Sequence, residues 1–227
     1  MDDRINVLGI QIGHMTVNDA MQRTMEFLKT DSISTVGIIT MNALLDAAQD
    51  PVQREYLEQL DLSIVGETEV LEAAGISSGQ IYEQTEENEF IARLFWKLIT
   101  GSYTFFLLGE SNEETKALET YVKETYPDIR VCGAASEMKD GEHSEDWIVN
   151  EINGSGADVI LSGLNGSSQA AFLLENREKI NGKIWLSLGG QIQIQNEAGL
   201  KNSWFGLLLK KNSFKRLAAK FRNDENA

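Results

Sequence analysis

The chain reads as an α/β protein: a parallel sheet of buried strands with helices on both faces. Three observations lead there. Short β-branched and aromatic runs alternate with amphipathic segments along most of the sequence. The runs are apolar at nearly every position, as strands covered on both faces require, instead of alternating between apolar and polar. Helix-opening signatures stand between them, the sharpest being Thr16-Val17-Asn18-Asp19 and Ser111-Asn112-Glu113-Glu114.

Taken in order, Thr16 caps a helix whose inner face carries Val17, Ala20, Met21, Thr24 and Leu28. A strand follows over Thr35–Thr40, then a helix from Pro51 to Leu60, where proline suits the first helical turn. Asp61–Val65 is the next strand and Glu87–Leu98 the next helix. Tyr103–Leu108 is a strand, and Ser111 caps a helix running towards Thr125. Ile129–Cys132, Asp158–Ser162 and Lys183–Leu188 complete the strands, separated by helices over Ser144–Asn153 and Gln169–Arg177. The alternation stops near Gly199, which divides the chain into an α/β domain over residues 1–199 and a basic, helical appendage over 200–227. Among single residues, Cys132, Trp96 and Trp185 read as core, Trp147 falls on the Ser144 helix, and His14 and His143 fall in loops.

Composition narrows the function classes. With 42% hydrophobic and 24% charged residues in 227, the chain has enough material for a real core. A single cysteine permits no internal disulfide, and two distant histidines argue against a zinc site, so no metal or other cofactor is expected. No apolar run is long enough to span a bilayer, and the first residues lack a signal-peptide pattern, which places the expected location in the cytoplasm. Charge is unevenly distributed. From Lys201 onward seven of the 20 basic residues face two of the 35 acidic ones, so the tail is +5 and the preceding residues are −20. An acidic body repels nucleic acid, which is not an expected partner.

Ligands of parallel α/β sheets lie beyond the carboxyl ends of the strands. That rule selects Thr40 and Asn42, Gly66 to Glu69, Gly109 to Ser111, Gly133, Gly163 to Gln169, and Gly189 to Gln193, including Gly190 and Gln191. Glycine at a strand end followed by a helix lets backbone N–H groups approach an anion. Glycines in tight turns produce the same pattern.

The order and spacing of these segments resemble the WecG/TagA/CpsF glycosyltransferases, glycosyltransferase family 26. The opening Leu8-Gly9 to Ala20 carries the resemblance, as do Ile38-Ile39-Thr40-Met41-Asn42, Asp50-Pro51, Phe106-Leu107-Leu108-Gly109 and Leu188-Gly189-Gly190. The most specific stretch is Ile152-Asn153-Gly154-Ser155-Gly156-Ala157-Asp158-Val159-Ile160-Leu161-Ser162-Gly163-Leu164, followed by Gln169. The similarity extends over roughly residues 5–215. It implies a Rossmann-like fold with a C-terminal appendage that helps close the donor site and meets the membrane. It also implies inverting, metal-independent transfer of a hexose from a UDP-sugar donor to a polyprenyl-diphosphate-linked acceptor, in teichoic acid, common-antigen or capsule assembly. Thr40, Asn42, Gly109, Gly163, Gln169, Gly190 and Gln191 are the substrate-binding candidates, and Lys210, Lys211, Lys215 and Arg216 the candidates for membrane or diphosphate.

Inverting transfer needs a base for the acceptor hydroxyl and a positive or N–H-rich environment for the departing diphosphate. The family's base is an aspartate in a Pro-Asp-Gly turn, and Gly66 stands in its place. The family's Arg-x-Thr-Gly-x-Asp element falls on Gln84-Thr85-Glu86-Glu87-Asn88-Glu89, whose Glu86, Glu87 and Glu89 would repel a diphosphate. The Gly-x-Pro-x-Gln-Glu loop is here Asn165 to Ala170, keeping only Gln169 of its polar pair. Three readings follow. Glu67 or Glu69 replaces the base; or the chain is a catalytically inactive member that partners an active glycosyltransferase or a second copy of itself; or it uses another donor through Thr40, Asn42, Gln169, Gln191 and Gln193.

The tail generates its own prediction. Lys210, Lys211, Lys215, Arg216, Lys220 and Arg222 share a segment with Trp204, Phe205, Leu207 to Leu209, Phe214 and Phe221. Basic and apolar residues together suit peripheral attachment to the anionic inner face of the plasma membrane, each charge contributing about 1 kcal/mol. Full-length protein should therefore sediment with anionic vesicles, and a chain cut before Lys201 should not; equal sedimentation removes the membrane role.

Overall fold

The computed structural model describes residues 4–136 and 145–188. The proposed boundary near Gly199 and the appendage lie outside them. In order the elements are β1 (Arg4–Val7), β2 (Ile10–Gly13), α1 (Val17–Phe27), β3 (Ser34–Ile39), α2 (Met41–Ala47), α3 (Pro51–Glu58), β4 (Leu62–Val65), α4 (Thr68–Ala73) and α5 (Gln80–Glu86). Then come α6 (Glu89–Thr100), β5 (Thr104–Gly109), α7 (Asn112–Thr125), β6 (Arg130–Ser136), α8 (Glu145–Ser155), β7 (Val159–Ser162), α9 (Gly166–Asn176), a 3-10 turn (Arg177–Lys179) and β8 (Ile184–Ser187).

Six strands form one parallel sheet in the order β4-β3-β8-β7-β5-β6. This is the Rossmann-like α/β architecture expected, with helices on both faces. Successive side chains alternate between two cores. Ile39, Phe106, Leu108, Ile160 and Trp185 face α2, α3, α4, α8 and α9. Val36, Ile38, Phe105, Leu107, Val159, Leu161, Ile184 and Leu186 face α1, α6 and α7. Near-continuous apolar strands are the direct consequence, since each face of the sheet is covered.

The helix starts form as their sequences dictate. Asp19 N–H donates to Thr16 Oγ at 3.3 Å, capping α1, while the Thr16 hydroxyl donates to the Asp19 carboxylate at 2.6 Å. Ser111 caps α7 through Glu114 N–H at 3.2 Å, and Asp50 caps α3 through Val52 N–H at 2.9 Å with Pro51 in the first turn.

Two aspartates fasten the strand beginnings. Asp61, just before β4, accepts from Thr35 N–H at 2.6 Å and Thr35 Oγ at 2.9 Å on neighbouring β3, and from Arg177 at 2.7 Å. Asp158, just before β7, accepts from Thr104 N–H and Oγ on neighbouring β5, both at 2.9 Å. The same device thus sets register at two separate strand pairs. Tyr56 of α3 adds a buried tie across the sheet, its hydroxyl 2.6 Å from Ser187 Oγ of β8. Burial pushes the Tyr56 hydroxyl pKa well up, against the lowering effects of the Ser187 hydrogen bond and the Arg177 charge.

Three sequence expectations are corrected. Cys132 is exposed, not core: Phe105 pairs with Val131 and Phe106 with Gly133, so Cys132 is the extra residue of a bulge on edge strand β6. Gly133 is consequently inside the strand, not at its end, and a Cβ there would lie 2.7 Å from the Phe106 ring. Trp96 is 66% exposed because the buried stripe of α6 runs through Phe90, Leu94, Phe95 and Leu98, leaving Trp96 on the other side. Trp185, by contrast, is fully buried and stacks on Phe172 with centroids 5.6 Å apart. The antiparallel β1–β2 hairpin was not anticipated. Its turn holds Leu8 and Gly9 at φ 56° and 77°, a conformation glycine adopts readily and leucine rarely. Leu8 is 2% exposed, and Arg54 donates to Gly9 O at 2.6 Å, so burial and a tether hold the turn.

The clamps give a stability prediction. Asp158→Ala removes two hydrogen bonds to a carboxylate and should cost about 1–2 kcal/mol; Asp61→Ala removes three and should cost about 2–3 kcal/mol. The double variant should lose the sum, because the strand pairs are separate. Urea midpoints with an unchanged slope would measure this.

Candidate functional site

The carboxyl ends of β3 and β4 bring several candidates together. Thr40 follows β3, is buried, and caps α2 by accepting from Ala43 N–H at 3.2 Å. Asn42 stands half-buried in the first turn of α2. Glu67 follows Gly66, and its carboxylate accepts from Met41 N–H, the first helical residue of α2, at 2.8 Å. The acid is stabilised there by the orphan donors and positive dipole end of the helix. Glu69 is half-buried in the first turn of α4, 3.5 Å from the Thr68 hydroxyl.

On the other side of the same strand ends lies a small cavity of about 30 Å³ between α1, α6 and β4. That is space for a water-sized group, and Gly66 is part of its wall. Met15, Val17, Ile38, Ile64, Phe90 and Ile91 make it apolar, and Ser63, Gln84, Thr85 and Asn88 supply polar atoms; among the described residues no charged side chain lines it. Gln84 lies in α5, a helix not anticipated from sequence. Its Oε1 accepts from Val17 N–H at 3.0 Å and so ties α5 to the start of α1. Asn88 caps α6 at φ 52°, the left-handed conformation asparagine tolerates, and has no capping hydrogen bond of its own.

Gly109 and Gly163 meet at the ends of neighbouring β5 and β7. A Cβ on Gly109 would lie 2.6 Å from Thr115 Oγ, so the residue must be small for α7 to start where it does. At Gly163 the nearest atoms would be at an ordinary 3.6 Å, so space does not demand glycine there. Gly163 N–H donates to Leu108 O at 2.8 Å. Between the two glycines, Glu110 accepts from Asn165 N–H and, at 3.4 Å, from the Ser168 hydroxyl. Gln169 turns inward: it is 3% exposed and its Oε1 accepts from the buried Trp185 indole N–H at 3.2 Å. Gly190, Gln191, Lys210, Lys211, Lys215 and Arg216 lie outside the described residues.

Ser63 and Asn88 in the pocket were not singled out by sequence. Their signal was weak, since both are small polar residues beside apolar runs. Glu110 was bracketed by the strand-end rule, but its pairing with Asn165 and Ser168 was not foreseen; a carboxylate directly after a strand-end glycine is the sign that could have found it. Among the described residues no group of three His, Cys, Asp or Glu side chains gathers as a metal ion would need. None of the described helices is long and apolar enough to cross a membrane.

A parallel sheet wrapped on both faces, with a pocket at its carboxyl edge, defines a Rossmann-like α/β protein. The chain matches the glycosyl transferase WecG/TagA/CpsF family over residues 5–200 and belongs to that family. No curated protein matches it. Membership implies glycosyltransferase activity in cell-envelope polysaccharide assembly, with a nucleotide-sugar donor and a lipid-linked acceptor.

The Gln84 contact can be tested directly. Gln84→Arg introduces a positive charge and removes the acceptor of Val17 N–H, and should lower stability by about 1–2 kcal/mol. Gln84→Glu keeps an acceptor and should lose less. Thermal unfolding of both variants would measure the difference.

Proposed function

We propose that this chain serves cell-envelope polysaccharide assembly as a hexosyltransferase-like protein that holds a substrate sugar without transferring it, acting beside an active glycosyltransferase. Its ligands are of the family's class, a UDP-sugar or a polyprenyl-diphosphate-linked sugar, and its basic tail meets the cytoplasmic face of the membrane. The observation that carries this reading is the chemistry at Gly66. Among the described residues, the pocket there is lined by apolar and neutral polar side chains alone. None of these described residues supplies a base or a cation for a departing diphosphate, while their hydroxyl and amide groups suit an uncharged sugar lying against them.

The second reading is transfer with Glu67 or Glu69 as base. Both half-buried carboxylates follow Gly66 at the end of β4, which favours it. Against Glu67 stands its bond to Met41 N–H.

The readings separate in one assay, transfer from UDP-N-acetylmannosamine to a polyprenyl-diphosphate-linked N-acetylglucosamine. The wild type, Glu67→Gln and Glu69→Gln should be equally inert, and Gly66→Asp alone should not create turnover. UDP should bind more weakly than about 100 μM, with no gain from magnesium. A wild type that transfers sugar, with an approximately 10²–10⁴-fold loss in one glutamine variant, would instead establish that glutamate as the base.

A further inference from the structure

β5 and β7 are neighbours, yet α7 leaves β5 towards one core and α9 leaves β7 towards the other. Their carboxyl ends therefore frame a crevice of the kind where open parallel sheets receive ligands. The eleven-residue α9 starts there, and its N-terminal N–H groups and dipole favour negative charge. The chain's own acceptors already hold that first turn. Asn165 Oδ1 accepts from Ser168 N–H at 3.0 Å, and the two Glu110 oxygens accept from Asn165 N–H and the Ser168 hydroxyl. Asp50 accepts from the Ser167 hydroxyl at 3.1 Å. A further acceptor faces the same turn. Gln53 is 1% exposed and donates to Ala43 O at 3.3 Å, and its Oε1 is the one buried side-chain nitrogen or oxygen lacking a partner among the described residues. Its amide presses against Gly166, where any Cβ would collide with it.

We infer that Glu110 is a specificity determinant: its carboxylate fills the anion seat of α9 and keeps phosphate and diphosphate groups out of the crevice. Two carboxylates and a carbonyl oxygen without a donor leave the site suited to groups that donate hydrogen bonds, such as sugar hydroxyls. A diphosphate entering the crevice would have to displace Glu110 and lie against Asp50. The exclusion stands on this geometry alone; only the sugar as natural occupant rests on the proposed function.

The test uses inorganic pyrophosphate as the probe, titrated calorimetrically into the full chain at low salt. Wild type should bind no tighter than about 1 mM, and Glu110→Ala should bind at least about tenfold tighter, with the gain shrinking as salt is added. Glu110→Gln, which keeps size and one acceptor, should gain less and guards against a folding defect in the alanine variant. Glu113→Gln removes the same charge from an exposed position on α7 and should change nothing. Equal affinity in wild type and Glu110→Ala, or an equal gain in Glu113→Gln, overturns the assignment. Sugar transfer by the wild type alongside a pyrophosphate gain in Glu110→Ala would defeat the non-catalytic reading and leave this one standing.

Discussion

Each face of the parallel sheet must be covered, and most other features follow from that constraint. The strands present apolar side chains to two cores, so polar chemistry is pushed to the strand ends. At the amino ends Asp61 and Asp158 align neighbours through backbone and hydroxyl donors. At the carboxyl ends Thr40, Glu67, Glu110 and Asn165 occupy helix N-termini. Strand alignment at one edge and helix capping at the other are products of one packing rule.

Polar side chains at the carboxyl edge surround a pocket that Gly66 and Gln84 help to line. Polar groups of this edge are engaged in holding elements together: Gln84 joins α5 to α1, Glu67 joins the β4 end to α2, and Gln169 supports Trp185. A side chain whose hydrogen bond stabilises the fold is less available for chemistry, because moving it exposes an orphan donor.

Much of the fold was legible because its signals are local. Apolar runs placed the six sheet strands, and Thr16, Asp50-Pro51 and Ser111 marked helix starts within a residue. Features set by distant contacts were not legible. The Leu8-Gly9 turn depends on burial and on Arg54, the Cys132 bulge on register with Phe105 and Phe106, and the exposure of Trp96 on which stripe of α6 meets α1. For the site, residue type pointed to the strand ends but not to hydrogen-bond partners. Gln169 looked like a ligand contact from its position, and only the buried indole beside it reveals a core role. Glu110 fell within the strand-end set, and its bond to Asn165 N–H at the start of α9 becomes visible only in the fold.

The β6 bulge has a consequence for how copies of the protein meet. An outermost strand offers a row of backbone donors and acceptors to any extended chain, the route by which sheets grow into aggregates. At Cys132 the ladder slips by one residue, so a visiting strand would lose registry midway. At the opposite margin, the β1–β2 hairpin lies against β4, with Gly13 N–H donating to Ser63 Oγ at 2.7 Å. Among the described residues one border of the sheet is thus interrupted and the other sheltered, and both features work against growth of the sheet by an added strand.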